Sequence, residues 1–383
     1  MPRPILIATL LRAEGDTGVQ THFRTFAEYL AKSNRQYALI TPYSAPLWQV
    51  YPAFGLRKLV NLLSTGLGVW WYRYWHAFFL RLALKRRLKA GSECVVYAQC
   101  PLSAHAALAA RASNSQRVVM VVHFNISQAD EWADKGSITR DGRLYRSIQA
   151  TEANVLPRLD GLVFVSDFMR RELVARIPEI GSVPYLVVPN FLPDPGIAAT
   201  PGALEADLIC IGTLEPRKNQ RYALEILAAA RKMGEPLRLT LVGDGPDRTE
   251  LETLARNWGI EADVRFLGYV KQAASLLNKH LACLHVARIE NLPLTLIEAL
   301  SRGTPIFAPA VGGIPEVFDD GVEGRVISLD DAEKAARLIL EWMKLPDILA
   351  TAGKAARARF IASFQADTVA ARLDQFLCQS VEA

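Results

Sequence analysis

At 383 residues, half of them hydrophobic and 22% charged, the chain is globular and too long for one ordinary core, so two domains of roughly 200 residues each are expected. A net charge of +5 is mild: it suits an anionic substrate or an anionic membrane face and gives no ground for a nucleic-acid partner. The five cysteines (Cys94, Cys100, Cys210, Cys283 and Cys378) show no metal-ligand spacing, so they read as buried thiols in a reducing cytoplasm.

The N-terminal half alternates strands and helices. Residues 5–10 read as a strand, and the strand-like run 4–11 is not a secretory leader. Residues 21–31 read as a helix with Phe23, Phe26, Ala27 and Leu30 on one face. Strands follow at 37–41, 94–98, 117–122, 161–165 and 185–188, several as continuous apolar runs, which is the pattern of strands buried on both faces. Three prolines and two glycines interrupt residues 192–202, so the linker is placed there and the domains are drawn as 1–195 and 196–383, with the last helix packing back on the first. The pattern then restarts with strand 207–211, helix 220–233, strand 237–242, helix 248–258 and strand 264–267. Strands 281–286 and 304–308 follow, with a short helix between them. Alternating β and α in both halves predicts two facing parallel-sheet domains, with the ligand at the carboxyl ends of the strands in a cleft between them.

Residues 70–79 hold seven aromatic side chains and are followed by Arg81, Lys85, Arg86, Arg87 and Lys89. The uncharged run before them is too short to span a bilayer, which needs about 20 residues. A helix of this composition suits a membrane interface, and an ordinary covering helix with a basic exposed side fits the same residues.

Several short segments carry chemistry. The loop Glu14-Gly15-Asp16-Thr17-Gly18 joins the first strand to the first helix, with Gly18 at the helix entrance. His123 ends the apolar run 118–122, where a neutral imidazole would hydrogen-bond a sugar or receive an acceptor proton. His22 and His105 read as structural or surface residues. Ser166 reads as a helix cap. In the second half, Thr213 to Asn219 follow a strand end, and Arg217 and Lys218 there would neutralise a diphosphate. Gly243 and Gly245 follow the strand 237–242, either for close approach to a ligand or for a tight turn. Glu290 and Glu298 lie eight residues apart around the start of the short helix. Free amides and a positive dipole there favour a phosphate, and each acid needs a further polar partner such as a sugar hydroxyl.

The run Glu290-Asn291-Leu292-Pro293-Leu294-Thr295-Leu296-Ile297-Glu298-Ala299-Leu300-Ser301-Arg302-Gly303-Thr304-Pro305, followed by Gly312-Gly313-Ile314-Pro315-Glu316, resembles the E-x7-E signature of the family-4 retaining glycosyltransferases. That resemblance implies the GT-B fold, two facing Rossmann-like domains with a donor and acceptor cleft. It also implies transfer of a hexose from a nucleotide diphosphate sugar to a glycan or lipid-linked acceptor, in bacterial surface polysaccharide synthesis. Carried onto this chain, Glu290 positions the donor sugar, Lys218 and Arg217 stabilise the leaving diphosphate, and His123 orients sugar or acceptor. Gly18, Thr213, Gly243, Leu267, Leu294, Thr295 and Glu298 line the substrate, Leu267 through its backbone at the base edge and Glu298 at the ribose. Thr213 stands where the family more often has arginine, and the loop after the first strand has two glycines where many relatives have three. The resemblance implies no cofactor and no metal, a cytoplasmic location at the inner face of the membrane, and membrane contact through residues 70–89. Two other readings remain at this stage: a non-catalytic nucleotide-sugar-binding partner, and another GT-B enzyme such as a nucleotide-sugar epimerase. A dinucleotide oxidoreductase is disfavoured, because no Gly-x-Gly-x-x-Gly follows either first strand with an acid about 20 residues on.

Overall fold

Strands that are apolar along their whole length need helices on both faces, and this chain supplies them in alternation. The computed structural model describes residues 3–15, 17–196 and 204–379. They form two compact units, Met1–Pro189 with Ala366–Ala383, and Asn190–Gln365.

The first unit begins with β1 (Ile5–Ala8), α1 (Gly18–Lys32), β2 (Tyr37–Ile40), α2 (Leu47–Leu63), α3 (Thr65–Arg87), β3 (Cys94–Ala98) and α4 (Pro101–Ala110). It continues through β4 (Gln116–Val122), α5 (Gln128–Asp134), α6 (Arg143–Val155), β5 (Gly161–Phe164), α7 (Asp167–Arg176) and β6 (Tyr185–Val187). The second unit holds β7 (Ala206–Ile211), α8 (Gln220–Lys232), β8 (Leu239–Val242), α9 (Arg248–Asn257), β9 (Val264–Gly268) and β10 (His280–Leu284). It ends with α10 (Leu294–Ser301), β11 (Ile306–Ala308), β12 (Gly324–Val326), α11 (Ala332–Met343) and α12 (Pro346–Ser363). The last helix, α13 (Ala366–Cys378), belongs to the first unit.

Each unit is one six-stranded sheet, ordered β2-β1-β3-β4-β5-β6 and β12-β11-β10-β7-β8-β9, and every strand pair is parallel. The strand order reverses beside β1 in the first sheet and beside β7 in the second. Loops leaving the carboxyl ends of the strands diverge at such a point and open a crevice. Strands β3 and β4 are buried at every residue, as their unbroken apolar runs predict. Helix starts follow local chemistry: Thr17 and Gln20 close a capping box on α1, and Ser127 and Ser166 cap α5 and α7.

The residues proposed as linker behave as part of the second unit up to the point where description stops. Leu192 bridges to Gln365, and Asp194 accepts from Arg357 at 2.6 Å. Residues 197–203 lie outside the described residues. The compact units meet at Pro189/Asn190 and again at Gln365/Ala366, whereas the sequence reading drew one boundary at 195.

Helix α13 is held to the first unit by Val369, Leu373 and Leu377, all buried, and by Arg35, which grips Asp374 at 3.0 Å with both partners mostly covered. Removing one member of such a pair leaves the other desolvated without a partner. Arg35→Ala is expected to lower stability by about 2 kcal/mol. The measurement is the midpoint of chemical denaturation, with amide exchange of α13 rising before that of β3 and β4.

Candidate functional site

The site in the second unit is built at its switch point, from the loops that leave β7 and β10. The first loop turns into α8 through Asn219, whose left-handed backbone (φ 57) brings Arg217 and Lys218 back toward β10. The Gln220 side chain fixes this turn by donating to the Thr213 carbonyl at 2.9 Å. The second loop, 285–293, runs into α10. Asn190 donates to the Leu292 carbonyl at 2.8 Å and Gly313 to the Glu290 carbonyl at 2.9 Å, so this loop is pinned from two sides.

Glu290 is buried at the centre of these loops. One of its oxygens, Oε1, lies 2.5 Å from Lys218 Nζ, 3.3 Å from Arg217 Nη1 and 3.6 Å from His285 Nε2. Burial alone would raise this carboxyl's pKa. The cations of Lys218 and Arg217, with the His285 imidazole close by, outweigh it and hold Glu290 well below the usual carboxylate range. His285 is pushed down by burial and stays neutral beside the two cations. Arg217 is shared further, with Glu215 at 2.9 Å. Glu290 Oε2 takes no hydrogen bond from any described residue, which leaves one acceptor face of an ionised carboxylate open.

Glu298 is a different acid. It sits on the first turns of α10, half-buried, and no hydrogen bond or ion pair reaches its carboxylate among the described residues. Burial pushes its pKa up to about 7, with Arg302 offsetting part of the shift. The N-cap of this helix is Pro293, which has no N–H, and the amides of Leu294 and Thr295 donate to nothing in the described structure.

The other predicted positions of this unit frame the same loops. Thr213 is exposed at the mouth of β7. Gly243 has φ +140, and a Cβ there would sit 1.9 Å from the Gly212 carbonyl, so its glycine is required for the β7 and β8 loops to touch backbone to backbone. Leu267 falls at an irregularity in the β8–β9 pairing, where Leu241 faces Phe266 but Val242 faces Gly268. The extra residue has no partner in the β8 register and sits on an edge strand.

In the first unit, His123 follows β4, with its Nε2 3.4 Å from Gln99 Oε1 and its ring 4.6 Å from His22. Burial, together with the neighbouring His22, holds it well below the ordinary histidine pKa, so it is neutral. His22 is fully buried and lies 2.9 Å from the Tyr97 hydroxyl. Gly18 is exposed at the start of α1. The neighbouring glycine is the constrained one: Gly15 has φ +149, and a Cβ there would strike the Gln20 side chain. Gln20 in turn ties the loop together by donating to the carbonyls of Arg12 and Glu14.

Two family models cover most of the described chain: Glycosyl transferases group 1 over residues 203–359, and Glycosyltransferase Family 4 over residues 17–193. The chain belongs to the family-4 glycosyltransferases. A curated relative is the GDP-mannose-dependent alpha-(1-6)-phosphatidylinositol monomannoside mannosyltransferase of Mycobacterium tuberculosis, 28% identical over 238 residues. That match spans 57% of this chain and 61% of the relative's length. Sucrose-phosphate synthase from Thermosynechococcus elongatus superposes with a TM-score of 0.73 at 18% identity, covering 97% of this chain and 98% of its own. HepE of Anabaena, solved with UDP-glucose, gives 0.67 at 16% identity, covering 98% and 99%. At such identities the likeness establishes the GT-B fold.

Three contributors to these family-4 loops escaped the sequence reading. His285 falls in the run read as strand, and its place at the end of that apolar run, as with His123, is the available signal. His22 was set aside as structural or surface; only the fold brings it beside His123. Asn190 has no signal in sequence at all. The window 70–89 also divides: Phe79, Leu80, Ala83 and Leu84 are core, while Trp70, Tyr74 and Phe78 are exposed.

The raised Glu298 carboxyl has a consequence for stability. Its folded pKa of about 7 exceeds the ordinary carboxylate value, so the folded state binds the extra proton between the two. Stability contributed this way is fully present below about pH 4.5 and is lost as pH rises through 7. Denaturation of the ligand-free protein at pH 5 and pH 8 should therefore show Glu298→Gln removing up to about 3 kcal/mol of that decline. An unchanged pH slope would place Glu298 in water.

Proposed function

We propose that this chain is a retaining glycosyltransferase that moves a hexose from a nucleotide diphosphate sugar to a hydroxyl of a glycan or lipid-linked acceptor, in the building of a bacterial surface polysaccharide. The observation that carries the reading is the Glu290 carboxylate, with one oxygen held by Lys218 and Arg217 and the other left open. In this reading Oε2 accepts a hydroxyl of the donor sugar, and the two cations turn toward the diphosphate. The unused amides of Leu294 and Thr295 add donors for the same phosphates. Glu298, without a partner in the ligand-free fold, accepts the ribose hydroxyls. Leu267 offers its backbone to the base, and Gly243 and Thr213 line the approach.

The chemistry follows from that placement. The bond between the anomeric carbon and the diphosphate oxygen breaks, and its electron pair leaves with the diphosphate. Lys218 and Arg217 stabilise the charge that develops there. The acceptor oxygen bonds to the anomeric carbon on the same face, and its proton passes to the departing phosphate. Configuration is thereby retained without an enzymic nucleophile. Neutral His123, held beside Gln99, orients the sugar or the acceptor hydroxyl. No cofactor beyond the donor is needed in this scheme, because the two side-chain cations supply the positive charge.

Similarity supports the donor class. The mycobacterial relative is GDP-mannose-dependent and the HepE structure holds UDP-glucose, each a hexose on a nucleoside diphosphate. Association with a membrane at residues 70–89 belongs to the same proposal, as a route to a lipid-linked acceptor; no helix among the described residues is long and apolar enough to cross one.

The test is a melting-temperature panel with UDP-, GDP-, ADP- and dTDP-hexoses, followed by turnover with the donor that stabilises the fold. Lys218→Ala is expected to lower kcat by about 10²-fold or more while the protein stays folded. Glu290→Ala should nearly abolish turnover, and NMR of the product should show the anomeric configuration of the donor. A panel with no shift, and no donor hydrolysis without acceptor, would leave the chain a non-catalytic partner.

A further inference from the structure

Lys218 and Arg217 have two claimants in the proposed function. In the ligand-free fold both cations face Oε1 of Glu290. With a donor bound, both turn toward the diphosphate. A diphosphate carries more charge than one carboxylate oxygen and offers more acceptor sites, so the exchange strips Glu290 of the groups that keep it ionised. The carboxylate has little access to water, since Glu290 is only 7% exposed. Its backbone cannot shift to find another partner. Gly313 donates to the Glu290 carbonyl at 2.9 Å, and a Cβ on Gly312, at φ +59, would lie 2.0 Å from the same oxygen. A buried carboxylate that loses its counter-ions takes up a proton. Protonated Glu290 would be a poor acceptor for the sugar hydroxyl, which is the task of its Oε2.

A third group faces the same oxygen. His285 lies one residue beyond β10, and its amide extends that strand's pairing by donating to the Phe307 carbonyl at 2.8 Å. The side chain is buried, so the ring has no path to solvent. Its Nε2 has no hydrogen-bond partner among the described residues and stands 3.6 Å from Glu290 Oε1. That gap exceeds the usual N–H···O separation of about 2.9 Å by about 0.7 Å, less than a small turn of the carboxylate covers. Lys218 and Arg217 already occupy the two lone pairs of Oε1, which is why the imidazole stands off. The charged groups facing His285 are Glu290, Lys218 and Arg217, and burial keeps the ring neutral among them. A neutral imidazole carries one N–H. Placed on Nε2, that proton points at the acceptor the cations vacate.

We propose that His285 is a positioning residue for Glu290: as Lys218 and Arg217 pass to the donor diphosphate, its Nε2–H closes on Oε1 and holds the carboxylate ionised, with Oε2 toward the sugar. This role exists only if the site is the donor pocket proposed above, since the diphosphate is what draws the cations away. The imidazole touches no substrate and transfers no proton. It exchanges an empty contact for a hydrogen bond at the moment the carboxylate needs one. Neutrality is what suits it to the place. A third cation beside Lys218 and Arg217 would follow them to the phosphates, whereas an uncharged donor stays with the carboxylate.

Binding of UDP and of GDP to the full chain reads the exchange without turnover. Calorimetry in two buffers of different ionisation enthalpy counts the protons taken up on binding. At about pH 6, His285→Leu should take up about one proton more than the wild type with the same nucleotide, because Glu290 protonates once its cations leave. His285→Gln, whose amide nitrogen reaches the Nε2 place, should match the wild type. Proton exchange at Glu298 and on the nucleotide is common to all three proteins and cancels in the comparison. With UDP-glucose or GDP-mannose, kcat for donor hydrolysis should fall about tenfold or more in His285→Leu, with KM changed less and His285→Gln recovering most of the loss. The acid limb of the leucine variant's pH profile should also move to higher pH, since a carboxylate without its donor binds a proton more readily. Equal proton uptake by His285→Leu and the wild type overturns the proposal, whatever happens to kcat, and leaves the donor pocket standing. Failure of the wild type to bind either nucleotide overturns the donor pocket and this role with it. Should His285→Leu not fold, NMR of the nitrogen-labelled wild-type imidazole decides. With UDP or GDP bound, His285 must carry its proton on Nε2, and the Nδ1–H tautomer would overturn the proposal.

Discussion

The Glu290 carboxylate is the point on which the second unit's loops converge. A buried carboxylate is tolerated only when opposite charge and hydrogen bonds replace the water it has lost. Here Lys218, Arg217 and His285 all reach the same oxygen. Lys218 and Arg217 come from the loop after β7, and His285 from the end of β10, so one ion cluster ties together the two sides of the sheet's switch point. Its backbone is held as well, through the bond from Gly313. The α10 helix that carries Glu298 therefore starts from a fixed place, and the orientation of its free amides is set by the same cluster.

Two acids eight residues apart have opposite electrostatics for this reason. Glu290 is deeper, yet it stays ionised because three groups face it. Glu298 is the less covered of the two, yet burial raises its pKa because no hydrogen bond or close cation offsets the lost water. Sequence spacing places both around the helix start and says nothing about which is satisfied. The distinction has a functional meaning in the proposed scheme: the satisfied acid already holds its shape, whereas the unsatisfied one gains its partner from a ligand. A ligand hydroxyl on Glu298 would favour its ionised form and release a proton at neutral pH.

What was legible in the sequence was whatever is local. Continuous apolar runs gave β3 and β4, and the Ser166 cap gave a helix start, because strand burial and capping act within a few residues. Glu290, Glu298, Lys218 and Arg217 could be singled out because each follows a strand end in its own segment. The groups that complete these places come from far along the chain. His22 lies about a hundred residues before His123, and Asn190 a similar distance before Leu292. Nothing in their own neighbourhoods distinguishes them from ordinary structural residues. The glycine loop after β1 shows the same limit. Position at the helix start favoured Gly18, whereas the tight fit is between Gly15 and the Gln20 side chain.

The aromatic segment left two readings open for a related reason: composition cannot tell which side of a helix is covered. Seven rings in ten residues drew attention to 70–79, and the basic run after it suggested a single interfacial helix. Packing divides α3 instead. Its residues toward β2, α4 and α2 are consumed by the core, and only one stripe stays open. Helix α2 has fewer aromatic residues and no comparable signature, yet its anchored side leaves Leu62 and Leu63 almost wholly exposed. An apolar side that cannot rotate inward is poorly matched to water alone. The constraint that keeps it outward, Val50 and Ala53 against Phe79, is the same packing that makes α2 a stable part of the fold.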